Sequence, residues 1–188
     1  TSVGAGVYTQ RISPNEQAKR MVQMLAPVAH RLLYCSTGNH EYRTWKGIGV
    51  DLMYWMASKL EIPYIPYQVY SDIHVNDVTF EMFTNHGSTG AITEGGKLNA
   101  AKRPLEWQYQ TPHFITMGHV HDMNVKKKFA VRRNKRTGEL EKFKYYIETT
   151  GGFLGYFGTY ADMKNYPPTT EGTVRDDLYT NGDYHASI

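Results

Sequence analysis

Three short polar segments, each combining histidine with glycine, follow apolar runs that we predict to be strands. The segments are Gly38–Glu41 (Gly-Asn-His-Glu), Asn85–Gly87 (Asn-His-Gly) and Gly118–His121 (Gly-His-Val-His). Strand ends collect ligand-binding groups because a rigid strand fixes the loop that follows it, and glycine lets that loop turn sharply. Imidazoles combined with an amide or carboxylate oxygen favour zinc, iron, manganese or nickel over calcium.

The chemistry open to such a site is metal-assisted hydrolysis. A tight loop can aim the rings of His119 and His121 at two neighbouring ions. Two ions about 3.5–4 Å apart can activate a hydroxide and neutralise the oxygens of a phosphoryl group during in-line displacement. One histidine after a strand is more often structural, so the prediction of phosphoester hydrolysis depends on the three segments occurring together.

The predicted elements that hold these loops alternate between helices and strands in the first part of the chain, and β-hairpins predominate after that. Helices are predicted from a cap at Ser13-Pro14 as far as Pro27, over Gly47–Leu60, and within Gly95–Trp107. Strands are predicted over Arg31–Ser36, Ile62–Val75, Val78–Thr84, Phe114–Met117, Val125–Val131 and Glu141–Thr149. This mixture indicates an α+β protein in which helices cover a sheet sandwich.

Composition excludes several classes of protein. The 188 residues are 40% hydrophobic and 21% charged, which indicates one folded domain, or a domain with a short tail, and excludes a wholly disordered chain. No apolar run reaches the roughly 18 residues of a membrane span, and the single Cys35 excludes an internal disulfide. The net charge of +3 does not by itself indicate nucleic acid. We expect a cytoplasmic protein, because no export leader is evident.

In their order and spacing, the three histidine segments resemble the third, fourth and fifth motifs of the calcineurin-like metallophosphoesterases, over about residues 13–150. The resemblance implies an α+β fold with two mixed β-sheets in a sandwich flanked by helices, and a dinuclear metal site at the strand ends. With it we expect residues 1–12 to be a loop or tail, residues 13–150 the phosphoesterase domain, and residues 151–188 a Gly-, Tyr- and Pro-rich extension.

The resemblance also implies a set of metal ligands. Asn39 would supply an amide oxygen to the second metal, together with His86 and His119, and His121 would bind the first metal. Manganese, iron, zinc and nickel all accept these donors, with two ions in an intact site.

Two further residues are implied in catalysis by the same resemblance. His40 would lie near the leaving-group oxygen, where it donates a proton or stabilises developing charge. Glu41 takes the acidic position beside it and could orient the imidazole, since a carboxylate bonded to the far ring nitrogen fixes the tautomer.

The sequence departs from the family pattern before Ser13. Neither an Asp-x-His motif nor a Gly-Asp motif with a bridging aspartate is found there, so the first metal would keep only His121. We therefore expect a fragment of a longer protein whose turnover is impaired. Asp72-Ile73-His74 spells Asp-x-His, but it lies between the third and fourth motifs, and an exposed strand edge is the favoured interpretation.

A basic run follows the last histidine segment. Seven positive charges fall within eleven residues: Lys126, Lys127, Lys128, Arg132, Arg133, Lys135 and Arg136. They could keep a hairpin edge solvated, or form an arm that follows a phosphate backbone, with Lys126–Lys128 as substrate-binding residues. Nearby aromatic side chains could stack on bases or belong to the core: Tyr145, Tyr146, Tyr156, Phe157 and Tyr160.

These features favour a phosphodiester substrate, with DNA or RNA as one candidate. Two alternatives stay open: a catalytically inactive family member acting as a protein-binding scaffold, and a nucleic-acid binding module carried by the basic hairpin. Structural roles are expected for His30, His113 and His185, and Cys35 is expected in the core instead of acting as a nucleophile. Oligomeric state is not indicated by the sequence.

Overall fold

The computed structural model describes residues 12–107, 111–134, 136–153, 155, 157–158, 162, 168 and 171–188. The chain divides into two compact units, residues 1–68 and 69–188. The three histidine segments are therefore shared between them, because Gly38–Glu41 lies in the first unit and the other two lie in the second.

The first unit is helical. Helix α1 (Pro14–Leu25) begins as the sequence predicts, with Ser13 as its cap, Pro14 in its first turn, and the Glu16 N–H donating to Ser13 Oγ over 3.3 Å. A 3-10 helix, Ala26–Arg31, continues it. Two short helices follow, α2 (Asn39–Ile48) and α3 (Leu52–Leu60).

Two sequence predictions for this unit are wrong. Arg31–Ser36 is not a buried strand: it contains only a single parallel bridge, from Cys35 to Tyr64, and Leu33 is 62% exposed. The helix predicted over Gly47–Leu60 is in fact the end of α2 and the whole of α3. Gly49 ends α2 in the left-handed region, with φ of 70°, and Asp51 caps α3 by accepting from the Tyr54 N–H at 3.0 Å.

The second unit is built on a five-stranded mixed sheet. Its strands in spatial order are β1 (Gln68–Val75), β2 (Val78–Asn85), β3 (Phe114–Met117), β5 (Leu140–Thr149) and β4 (Asn124–Arg133). Strands β2, β3 and β5 run parallel, and β4 is antiparallel to β5. The predicted turn at Asn76-Asp77 and the predicted β4–β5 hairpin are confirmed.

Each face of this sheet is covered by a different element. Helix α4 (Glu94–Lys102) and a 3-10 helix (Arg103–Trp107) lie on one face, where Leu98 packs with the buried Phe83 and Ile147. An antiparallel hairpin that the sequence did not predict, β6 (Arg175–Leu178) and β7 (Tyr184–Ser187), lies on the other. Its Tyr184 packs against Phe80, Phe114 and Tyr146.

The protein is therefore α+β, as expected, with a mixed five-stranded sheet, a two-stranded sheet and helices. None of the helices within the described ranges has both the length and the apolar character required to cross a bilayer.

Candidate metal site

The second unit places its two histidine segments at one edge of the sheet. Because β2, β3 and β5 are parallel, their carboxyl ends meet: Asn85 is paired with Met117, and Met117 with Thr149. His86 follows the first of these strands directly, and the Gly118–His121 segment follows the second. The topology thus collects both segments at the edge where α/β proteins bind ligands.

His86 and His119 are in direct contact at this edge. The Nε2 atom of His86 lies 3.3 Å from Nδ1 of His119, and the rings cross at 70°. Two nitrogens bound to one tetrahedral ion at about 2.0–2.1 Å are about 3.3–3.4 Å apart. The pair therefore has the spacing of two imidazoles that share an ion, a spacing that an N–H···N hydrogen bond also satisfies.

The backbone of the second segment is held in an uncommon conformation. The Val120 N–H donates to the Gly118 carbonyl over 2.8 Å, closing a three-residue turn with His119 at its centre. His119 has φ of 67° and His121 has φ of 52°. A γ-turn with positive φ is rare and strained, and such conformations cluster at ligand sites because the surrounding structure must enforce them.

Glycine is required where the backbone approaches these histidines. A Cβ built on Gly152, which follows β5, would lie 3.0 Å from Nδ1 of His121. At Gly87, which follows His86, φ is 82° and a Cβ would lie 2.5 Å from the Met117 side chain. At both positions the backbone packs so closely against a neighbouring side chain, Met117 or His121, that a larger residue would displace that side chain.

A buried polar network supports the turn, and sequence reasoning missed it. Lys97 of α4 is 8% exposed and its Nζ donates to Asp122 Oδ2 over 2.6 Å. Asp122 directly follows His121, and its carbonyl accepts from Thr149 Oγ1 at 2.5 Å. Asn124 donates to the Asp122 carboxylate at 3.3 Å and to Thr149 at 3.0 Å. The sequence feature that could have indicated this network is Asp122, because it directly follows the Gly-His-Val-His motif.

Asn85, at the end of β2, is a second residue that sequence reasoning did not single out. It is 4% exposed, and its Nδ2 has no hydrogen-bond partner within the described residues. Buried amides without a partner are uncommon in folded proteins. The Asn85 amide could therefore donate to one further polar group beside His86, at the edge of the sheet where the parallel strands end.

In the first unit, the Gly38–Glu41 segment forms the beginning of a helix and not a loop. Gly38 is the cap of α2, so Asn39, His40 and Glu41 occupy its first turn. The preceding Thr37 is buried and bonds Tyr64 OH at 2.7 Å. The Tyr64 hydroxyl also donates to Asp51, the cap of α3, and burial together with Asp51 raises the pKa of Tyr64.

The helical setting bears on the role of Glu41. Adjacent positions on a helix point about 100° apart and do not face each other. An acidic residue in the first turn also stabilises the positive end of the helix. The geometry thus favours a helix-stabilising role for Glu41, and its orientation of His40 stays a prediction.

The structure brings together some of the predicted ligands. His86 and His119 meet, whereas His121, which is exposed, lies against Gly152. Among the residues that the structure describes, no three His, Cys, Asp or Glu side chains form a group that could hold a metal ion. The convergence of Asn39 and His40 with the histidines of the second unit stays a prediction.

The predicted basic arm is divided between the two faces of an edge strand. In β4, Lys126 and Lys128 point to one face and Lys127 to the other, because side chains alternate along a strand. Arg132 is a structural residue: it pairs with Glu141 at 3.0 Å and lies 3.8 Å from the centre of the Phe143 ring. Substrate binding by Lys126, Lys127 and Lys128 stays a prediction.

The remaining members of the basic and aromatic sets have varied settings. Arg133 donates to the Gly138 carbonyl at 3.0 Å, and the Arg136 N–H donates to Asn134 at 2.9 Å, so both belong to the hairpin end. Tyr145 and Tyr146 are buried in the core, whereas Phe157 is 89% exposed. The predictions for Lys135, Tyr156 and Tyr160 fall outside the described residues.

His113 has the structural role expected of it. It is buried, accepts from the Glu81 N–H at 2.9 Å, and packs edge-on against Phe80, Phe143 and Tyr184. Burial, with Arg132 and Lys144 nearby, lowers its pKa to about 4. The imidazole is therefore neutral and acts as a hydrogen-bond acceptor inside the core.

The other histidines and the cysteine lie outside the strand-end cluster. His30 accepts from Arg31 at 3.3 Å on the surface, and His185 is exposed on β7. His74 bonds Thr79 across the β1–β2 hairpin at 3.0 Å, on the edge strand expected for the Asp72–His74 segment. Cys35 is partly buried, and burial raises its pKa, which disfavours the reactive thiolate.

The comparisons with known proteins are negative: no family model, no curated protein and no solved structure matches this chain.

Proposed function

We propose that the chain carries part of the active site of a calcineurin-like metallophosphoesterase that hydrolyses phosphodiesters. The observation that supports this most directly is the contact between His86 and His119 at the ends of two parallel strands, with His119 in a strained turn. Such strain is retained where surrounding structure enforces it, and the Lys97–Asp122 pair provides that enforcement.

The donors present fit a borderline divalent cation. Two imidazole nitrogens 3.3 Å apart suit manganese, iron, zinc or nickel, and Asn39 would add an amide oxygen. His121 would bind a second ion. A dinuclear centre in such a site supplies a hydroxide nucleophile and neutralises charge on the phosphoryl oxygens.

The chain's own residues would do the rest of the chemistry. His40, exposed in the first turn of α2, would donate a proton to the leaving oxygen or stabilise its charge. The amino end of α2 carries partial positive charge, which favours a phosphate. The buried Lys97 pairs with Asp122 and would so hold in place the residue that directly follows His121.

The test is metal binding measured beside hydrolysis. We expect the purified chain to bind Mn²⁺ or Zn²⁺ in isothermal titration calorimetry, and His119→Ala to weaken binding at least tenfold. The exposed His185→Ala is the matched control and should leave affinity unchanged. Hydrolysis of bis-p-nitrophenyl phosphate should need the added metal and should fall with His119→Ala.

Two results would contradict the proposal. If His119→Ala and His185→Ala bind metal equally, the strand-end pair is not a metal site. If metal binds at this pair but no phosphoester is cleaved by any protein that contains the chain, a binding or scaffold role replaces the enzymatic one.

A further inference from the structure

A group of exposed aromatic side chains lies beside the first-turn residues of α2. Tyr42 and Trp45 are 41% and 46% exposed, and their ring centres are 5.6 Å apart. Tyr67, from the segment before β1, is 58% exposed and meets Tyr42 edge-on at 6.5 Å. We call these three residues the aromatic platform.

The platform is held in place by the backbone on which it stands. Tyr42 and Trp45 are three positions apart in α2 and so lie on one face of the helix. Tyr67 follows Pro66, whose carbonyl accepts from the Thr37 N–H at 3.2 Å, one residue before the cap of α2. The three rings are therefore presented by two segments that are bonded to each other.

A row of cations runs next to the platform on the same helix. Asn39, Arg43 and Lys46 are spaced by four and three positions, which places them on one stripe of α2, beside the stripe of Tyr42 and Trp45. Within the part of the chain that the structure describes, neither Arg43 nor Lys46 forms an ion pair. Both are exposed, so their charge is open to a ligand.

We propose that α2 binds a single-stranded nucleic acid, with bases stacked on the aromatic platform and backbone phosphates along Arg43 and Lys46. Exposed rings beside unpaired cations are the combination with which proteins hold single strands. The proposal rests on the proposed function in one respect, because Asn39, an expected metal ligand, begins the stripe of α2 that Arg43 and Lys46 continue.

Charge favours this occupant over an apolar protein surface. An apolar protein surface would bury Arg43 and Lys46 against the platform without anions, and burying unpaired cations carries a desolvation cost. A nucleic acid supplies an anion for each cation and a flat face for each ring. Glu41, on the far side of Trp45, limits the cationic stripe to the Asn39 side of the helix.

The experiment measures binding of a labelled single strand of twelve deoxythymidine nucleotides to the whole protein chain by fluorescence anisotropy. EDTA is present so that no cleavage occurs. Trp45→Ala should weaken binding at least tenfold, as expected for the loss of a stacked base, and Trp45→Phe should recover most of it. Tyr179→Ala is the matched control, since that tyrosine is 50% exposed in the β6–β7 hairpin. Arg43→Gln and Lys46→Gln should each lower the salt slope by about 0.7.

The outcomes separate this proposal from the proposed function. If the strand does not bind, or if Trp45→Ala and Tyr179→Ala weaken its binding equally, the aromatic platform is not a nucleic-acid binding site. Loss only when Lys126–Lys128 are neutralised would also overturn the proposal, because the hairpin would then bind the strand. Binding that depends on Trp45, combined with no hydrolysis of bis-p-nitrophenyl phosphate by any protein that contains the chain, would support the platform and contradict the phosphoesterase.

Discussion

In the second unit the histidine turn rests on a closed polar network, whereas in the first unit the Gly38–Glu41 segment starts a helix with an open outer surface. Ile115, Met117 and Ile147, on the strands beneath the turn, are fully buried. By contrast, Leu33 and Ile48 of the first unit are each 62% exposed. The difference is the one that the two proposals require: the second unit would hold metal ligands in fixed positions, and the first would present an open surface to a nucleic acid.

The largest effect is expected from removing the ammonium group of Lys97. Lys97→Met would leave Asp122 partly buried without its cation, and should lower the free energy of unfolding by about 2–3 kcal/mol. Urea denaturation measures this. Lys102→Met, on the same helix, is the control and should cost under about 0.5 kcal/mol.

The same variant tests whether the network positions the histidine turn. Lys97→Met should weaken metal binding, whereas Lys97→Arg, which keeps the charge, should restore part of it. If Lys97→Met destabilises the fold but leaves metal affinity unchanged, the pair is structural only and the contrast between the units is weaker than we infer.

An intermediate effect is expected from the buried carboxyl pair that joins β5 to β6. Glu148 is fully buried, accepts from Thr116 Oγ1 at 2.9 Å, and lies close enough to Asp176 for the two carboxyls to interact. Burial raises the pKa of Glu148, with the Asp176 charge adding to it, and burial raises that of Asp176 as well. Folding of the second unit therefore favours the protonated form of both carboxyls.

The sign of the pH dependence follows from these shifts. A carboxyl whose pKa is raised by folding stabilises the fold when protonated, so stability falls as the pH rises above the ordinary carboxyl pKa. His113, whose pKa is lowered to about 4, acts in the opposite direction, because its contribution is lost as the pH falls from 6.5 towards 4. Above about pH 7 the carboxyl pair should dominate the change in stability, and the raised pKa of Cys35 adds to the fall only as the pH approaches the ordinary thiol value of about 8.5.

Thermal melts between about pH 7 and pH 9 measure how the carboxyl pair changes the stability of the fold. The wild-type melting temperature should fall across that range, and Glu148→Gln should flatten the dependence. Glu139→Gln, an exposed carboxyl in the β4–β5 hairpin, should leave it unchanged. An equal slope in wild type and Glu148→Gln would contradict a raised pKa for Glu148 in the folded protein.

The smallest effect is expected at Gly152. Gly152→Ala would place a Cβ 3.0 Å from Nδ1 of His121, so the ring must move by a few tenths of an ångström. The cost to stability should be about 1 kcal/mol, the low end for overpacking, and the His121 ring signals should shift in NMR spectra. Gly90→Ala is the control, because nothing lies within 4 Å of its added Cβ. Equal shifts for both variants would contradict the close packing described here.

The parts of the fold that depend on local signals could be predicted from the sequence. Phe114–Met117 is a strand as predicted, because its apolar run is bounded by a proline-histidine pair and a glycine. The start of α1 was also predictable from a local signal, because Ser13 is a capping residue and Pro14 suits the first turn of a helix. The β6–β7 hairpin was missed, since its four-residue strands carry little pattern and depend on Tyr184 packing against a distant sheet.

The candidate site was predictable in residue type but not in conformation. The sequence identifies His86 and His119, yet their contact depends on the parallel register of β2 and β3. The Gly38–Glu41 segment was predicted as a loop, because Gly38 is a weak helix cap and the segment lacks an apolar period. Lys97 could not be identified, because a lysine in a helix usually faces solvent.

The most direct test of the account is the state of the His86 and His119 rings with and without metal. In NMR spectra of histidine side chains, addition of Zn²⁺ should shift the ring nitrogens of both residues together, at Nε2 of His86 and Nδ1 of His119. His185 should not respond. If the two rings stay unchanged while metal binds elsewhere, or if no metal binds, the proposed strand-end metal site is wrong.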